Sequence, residues 1–117
     1  MNISINMPRQ KLIVDAQPVG EYLAVHESPN GFLADIPVNT GQWTITHVPT
    51  GWAIYTRFAS QGLALEVAGE LCGLDWSFDQ IGDFPTRLKR PTTSILKRLL
   101  KSKAITCTIE QEKRRAA

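Results

Sequence analysis

The sequence predicts an α+β fold, a small antiparallel sheet carrying one packed helix and a second, basic helix. Three observations lead there. From Trp43 to Phe58, β-branched and aromatic residues alternate on either side of the Pro49-Thr50-Gly51 break, the pattern of two half-buried strands. Immediately afterwards the apolar residues recur at three- and four-residue steps, the period of a helix. Before the hairpin, short extended segments are separated by Pro/Gly turn signals at the spacing of a meander.

Taken in order, Met1 to Arg9 reads as a frayed end or an edge strand. Lys11 to Asp15 is a strand, closed by the Pro18-Val19-Gly20 turn signal, and Glu21 to Val25 continues or follows it. Ser28-Pro29-Asn30-Gly31 predicts a turn. Phe32 to Ile36 is a further strand, ended by Pro37 and an Asn39-Thr40-Gly41 loop. In the Trp43–Phe58 hairpin, Pro49 presets φ at a turn corner and Gly51 can take the left-handed conformation there. Trp43 and Trp52 flank this turn as a candidate cross-strand pair, with core packing favoured over an open docking platform.

Ser60 is a good N-cap for a helix over about 60–73. Ala64, Val67, Ala68, Leu71 and Leu74 lie on its inner face, Glu66 and Glu70 on its outer face, and Gly73 is its left-handed stop. Trp76, Phe78, Ile81 and Phe84 are too apolar for a free loop and predict a cover over one end of the core. Pro85 and Pro91 bracket a basic linker. A helix over about 93–103, capped by Thr92 or Thr93, then carries the stripe Ile95, Leu96, Leu99 and Leu100. Ile105 to Ile109 alternates like an edge strand, and Glu110 to Ala117 reads as a solvated tail.

At 117 residues, 43% hydrophobic and 21% charged, the chain has the size and composition of one globular domain. Its apolar runs are too short to span a bilayer, and its first residues lack the signal-peptide pattern. The expectation is a cytoplasmic protein without membrane contact. Cys72 and Cys107 support no disulfide framework and are expected as reduced thiols.

The net charge of +2 conceals a divided chain. Residues 1–86 hold nine acidic side chains against Arg9, Lys11 and Arg57, whereas residues 87–117 hold ten basic side chains against Glu110 and Glu112. An acidic α+β core over 1–86 and a basic helix and tail over 87–117, packed on the same domain, follow from that division. Such asymmetry marks a charged interaction segment.

Motifs for chemistry are absent from the sequence. There is no phosphate-binding glycine loop. His26, His47, Cys72 and Cys107 are too widely spaced for a structural metal site, so no metal and no cofactor is expected. An exposed His26 and a half-buried His47 are the plainer reading. Cys72 has no neighbouring cations to activate it, and capping explains Asp75, Asp79 and Asp83 better than a pocket does. The expectation is a protein without catalytic residues. Arg57, alone among acids, is expected to pair with Glu66 or Glu70.

Function therefore rests on the basic segment. Arg87, Lys89, Arg90, Lys97, Arg98, Lys101 and Lys103 form a stripe suited to nucleic-acid phosphates or to nucleic-acid-associated machinery. The alternative is a protein–protein module, inhibitor or accessory factor binding through its acidic body, with Arg57, Glu66, Glu70, Asp75 and Asp79 at the contact. In that reading an acidic protein surface or a second copy of the chain meets the basic segment.

Overall fold

A computed structural model describes residues 1–7, 10–33, 36–101, 105 and 107–116, with side chains described at 1–6, 11–29, 41–101, 105 and 107–114. The fold is α+β. Strands β1 (Asn2–Met7) and β2 (Gln10–Asp15) form a two-stranded hairpin. Strands β3 (Gln17–Val19), β4 (Leu23–Leu33), β5 (Ile36–His47) and β6 (Trp52–Phe58) form an antiparallel meander in that order. Helices α1 (Gln61–Leu71), α2 (Thr86–Leu100) and α3 (Thr108–Ala116) follow.

Alternation along β4, β5 and β6 divides the four-stranded sheet into two unlike faces. Leu23, Val25, Ile45, Ile54 and Phe58 point toward α1 and meet Ala64, Val67, Ala68 and Leu71 in the main core. Ala24, His26, Thr44 and Thr46 point the other way and are buried as well. The β1–β2 hairpin covers part of that second face, where Ile3, Ile5, Leu12, Ala16 and Ala24 form a smaller cluster. A sheet buried on both faces explains why buried Thr and His stand among the strand residues, each with a hydrogen-bond partner.

The β5–β6 hairpin forms as the sequence indicates. Gly51 has φ +73 and its N–H donates to the His47 carbonyl at 2.9 Å. A Cβ there would also lie 3.1 Å from the Ser4 carbonyl oxygen, so glycine is required both for the turn and for the close approach of β1. Trp43 and Trp52 are not partners, because the register sets Trp43 opposite Phe58 and Trp52 opposite His47. Both are half-buried against the main core.

Elsewhere the Pro and Gly signals mislead. Ser28 to Gly31 lies inside β4, where the register shifts between Glu27, Pro29 and Phe32: the irregularity is absorbed as a bulge and not as a turn. Phe32 and Leu33 end β4 and Ile36 begins β5, with Leu33 opposite Ile36, so this segment is not one strand. Pro37 and residues 39–41 belong to β5, with Gly41 at φ +80.

Helix α1 is capped by Ser60, whose Oγ accepts the Leu63 N–H at 3.2 Å. It ends on a right-handed Cys72, and Gly73 is not among the positive-φ glycines. The following segment seals the core with Trp76 and Phe84, passing through a 3₁₀ turn at Ile81–Asp83.

The largest departure is in the basic segment. The expected linker 86–90 is the start of α2, which runs through Pro91. Pro91 removes only the bond to the Arg87 carbonyl. Burial of Leu88, Thr92 and Leu96, one above another at four-residue spacing, holds the helix across it. The expected strand 105–109 and tail are replaced by a buried Cys107 and by α3, whose Ile109 enters the main core. The alternation that suggests a strand there is broken by Thr108-Ile109-Glu110, the first turn of α3, in which Ile109 is buried against β6 and the 3₁₀ turn.

Both histidines are buried, contrary to the expected exposure of His26: 2% of its surface is accessible, and none of that of His47. Burial lowers the pKa of each below the ordinary 6.5, more than their backbone hydrogen bonds raise it. The neutral ring is therefore favoured in the folded state. The unfolded chain binds more protons as pH falls through about 6.5, so stability is complete above that pH and declines below it. Urea unfolding is expected to show a lower midpoint at pH 5.5 than at pH 7.5, roughly, with unchanged slope. Equal midpoints would contradict neutral burial.

Candidate nucleic-acid interface

Of the predicted stripe, Lys103 lies outside the described residues. Five of the others are on α2 and Lys101 is its C-cap, and these six fall into two sets. Arg87 reaches Asp75 at 3.0 Å, Lys89 reaches Glu110 at 3.0 Å and Arg98 reaches Glu70 at 3.2 Å. Two of these pairs join the acidic body to the basic helix, so part of the charge division is satisfied within one molecule. Asp75 is itself organised by the Ser77 hydroxyl and N–H, which hold its carboxyl below the usual range, with a smaller contribution from Arg87. The Arg87–Asp75 and Arg98–Glu70 pairs are solvent-exposed and individually weak, so they orient the helix more than they stabilise it.

Arg90, Lys97 and Lys101 form the second set. None of them is in an ion pair among the described residues. Spacings of seven and four place them in line with Ser94 on the side of α2 opposite Leu88, Thr92 and Leu96, and all three are exposed. Lys101 is also the left-handed C-cap, at φ 54 and ψ 41. A lysine there is strained by about 1 kcal/mol relative to glycine. Its ammonium, like that of Lys97 and the guanidinium of Arg98, lies at the helix end where cations are favoured by the dipole.

Two cations outside the predicted stripe join its N-terminal half. Glu110, half-buried on α3, accepts from Arg114 at 3.1 Å as well as from Lys89, and Lys113 donates to the Phe84 carbonyl at 2.6 Å. Lys113 and Arg114 thus border Lys89 around Glu110, in a shallow depression that also includes Thr86. The i, i+4 spacing of Glu110 and Arg114 was the one sequence signal for this arrangement.

Of the alternative contact residues, Glu66 and Asp79 are exposed, whereas Glu70 and Asp75 are engaged as above. Arg57 pairs with neither Glu66 nor Glu70. It projects from β6 on the side of the sheet away from α1, beside a cavity that Glu112 of α3 also lines.

Among the described residues, no group of three or more His, Cys, Asp or Glu side chains could hold a metal ion. Cys72 is exposed and Cys107 buried, both as free thiols. Burial pushes the Cys107 thiol up to about 11, which leaves it protonated at neutral pH. No helix among the described residues is long and apolar enough to cross a membrane. No family model, curated protein or solved structure matches the chain.

Proposed function

We propose that this chain is a small, non-enzymatic binding protein whose α2 helix contacts nucleic acid through its outward face. The observation that carries the reading is the alignment of Arg90, Ser94, Lys97 and Lys101 on the exposed side of a helix anchored by Leu88 and Leu96. Three cations in one row can meet phosphates along a backbone, with Ser94 as an additional hydrogen-bond donor. Arg87, Lys89 and Arg98 flank the row and contribute to the local potential even while paired. No aromatic side chain lies in the row, so binding is to the phosphate backbone with little preference for base sequence.

The protein-docking alternative has less support. Two of its acidic contact residues, Glu70 and Asp75, already hold Arg98 and Arg87, so that of those four acidic contacts Glu66 and Asp79 remain outside the described ion pairs.

Fluorescence anisotropy with a labelled duplex and a labelled single strand tests the proposal. Three neutralised phosphates give a log–log salt slope of about −2.7 on duplex DNA, a fall of roughly 40-fold between about 50 and 200 mM salt. Binding that does not respond to salt, or no binding at the lower salt, would overturn it.

A further inference from the structure

The face of the sheet turned away from α1 holds a cavity of about 360 Å³, bounded by β1, by β4 to β6 and by α3. This volume is at the small end of ligand sites and suits a metabolite-sized molecule. From the direction of the hydrogen bonds in its wall, we infer that this cavity binds a small zwitterion of the amino-acid type, its ammonium group on the Thr44–Thr46 wall and its carboxylate on Arg57.

The proton positions follow one from another. His26 Nδ1 lies 2.8 Å from the Glu27 carbonyl oxygen, which can only accept, so Nδ1 carries the proton and donates it. In the neutral ring Nε2 is then the acceptor, and the Thr46 hydroxyl donates to it at 2.7 Å. Ser28 donates its hydroxyl proton to the Thr56 carbonyl at 2.9 Å. The contact between the Ser28 and Thr44 hydroxyls therefore uses the proton of Thr44. Thr44 and Thr46 both line the cavity with their protons directed into the wall, and what they offer a ligand is oxygen lone pairs.

A wall of acceptors selects a ligand group rich in donors. An ammonium group has three and no acceptor, which matches it. Glu112 of α3 adds a carboxylate to the same lining, and Arg57 of β6 supplies the one described guanidinium there. Arg presents parallel donors to a carboxylate, a geometry an ammonium ligand alone would leave unused. Acceptors on one wall and a guanidinium on the neighbouring strand are together complementary to a molecule carrying both charges. The site shares no residue with the outward row of α2, so it stands or falls independently of nucleic-acid binding.

The test is titration of the ¹⁵N-labelled full chain with a panel of L-amino acids, followed by amide chemical shifts. For the best binder, the corresponding amine without carboxylate and the corresponding carboxylate without amine serve as probes. At least one amino acid is expected to shift the amides of Thr44, Thr46, Thr56 and Arg57, with each truncated probe about tenfold weaker. Arg57→Gln is expected to weaken the amino acid about tenfold and to leave the amine unaffected. Thr46→Val removes an acceptor but also deprives His26 of its partner, so Thr44→Val, which leaves the His26 bonds intact, is the second variant and is expected to weaken the amine. Absence of these shifts with every amino acid, or a carboxylate probe that binds as tightly as its amino acid, would overturn the inference.

Discussion

Trp76→Ala is expected to lower the stability of the fold by about 3–5 kcal/mol, a large share of the total for a domain of this size. Trp76 is 1% exposed and works in two ways. Its ring is buried in the main core beside the rings of His47 and Phe78. Its indole N–H donates to the Leu71 carbonyl at 2.8 Å, a second donor beside the Leu74 N–H at the end of α1.

The backbone of the same residue fixes the hairpin. His47 Nε2 donates to the Trp76 carbonyl at 2.7 Å, and the His47 ring stacks on Phe78 at 4.2 Å. Trp76→Phe loses the indole N–H and part of the ring and is expected to cost about 1–3 kcal/mol, the Leu71 carbonyl keeping only the Leu74 N–H at 2.9 Å. Urea unfolding of the two variants measures both effects. A loss below about 1 kcal/mol in the alanine variant would show that the segment is a cover and not part of the core.

The second large effect is on binding. Replacing Arg90, Lys97 and Lys101 together by Gln is expected to reduce affinity for a generic oligonucleotide about 100-fold at low salt. The salt slope should become shallower by nearly three. Stability should change little, since all three side chains are exposed and outside the described ion pairs. Arg87→Gln with Arg98→Gln is the comparison. These two side chains are held toward Asp75 and Glu70, so their loss should weaken binding less than tenfold. Equal effects of the two variants would mean that net charge alone governs binding, without a defined face of α2.

The hairpin, the first helix and its Ser60 cap were legible because each rests on local chemistry: alternation, a Pro/Gly turn and a hydroxyl at the N-terminus. The aromatic cover from Trp76 to Phe84 was legible from composition. What sequence could not supply was mostly decided by distant contacts. Pro29 and Pro37 signal breaks, yet the long β4–β5 ladder continues through them by shifting register. Pro91 signals a helix boundary, yet Leu88, Thr92 and Leu96 bury together across it. His26 reads as a surface residue until the β1–β2 hairpin is seen to cover part of the second face of the sheet.

The same holds for the charge pattern. The cations of the predicted stripe are equivalent in sequence, and helix phase together with the acids of α1, α3 and the Asp75 loop divides the six that are described. Arg87, Lys89 and Arg98 turn toward carboxylates, while Arg90, Lys97 and Lys101 turn outward. The polar cavity was invisible for a different reason. Its wall is assembled from Ser28 of β4 and Thr44 and Thr46 of β5, each of which alone is an ordinary strand residue.

The most direct measurement is amide chemical-shift mapping of the ¹⁵N-labelled chain with a short single-stranded oligonucleotide at low salt. The largest shifts are expected at Arg90, Ser94, Lys97 and Lys101, with Glu66 and Asp79 unchanged. Shifts centred on the acidic face of α1, or none at any residue of α2, would contradict it.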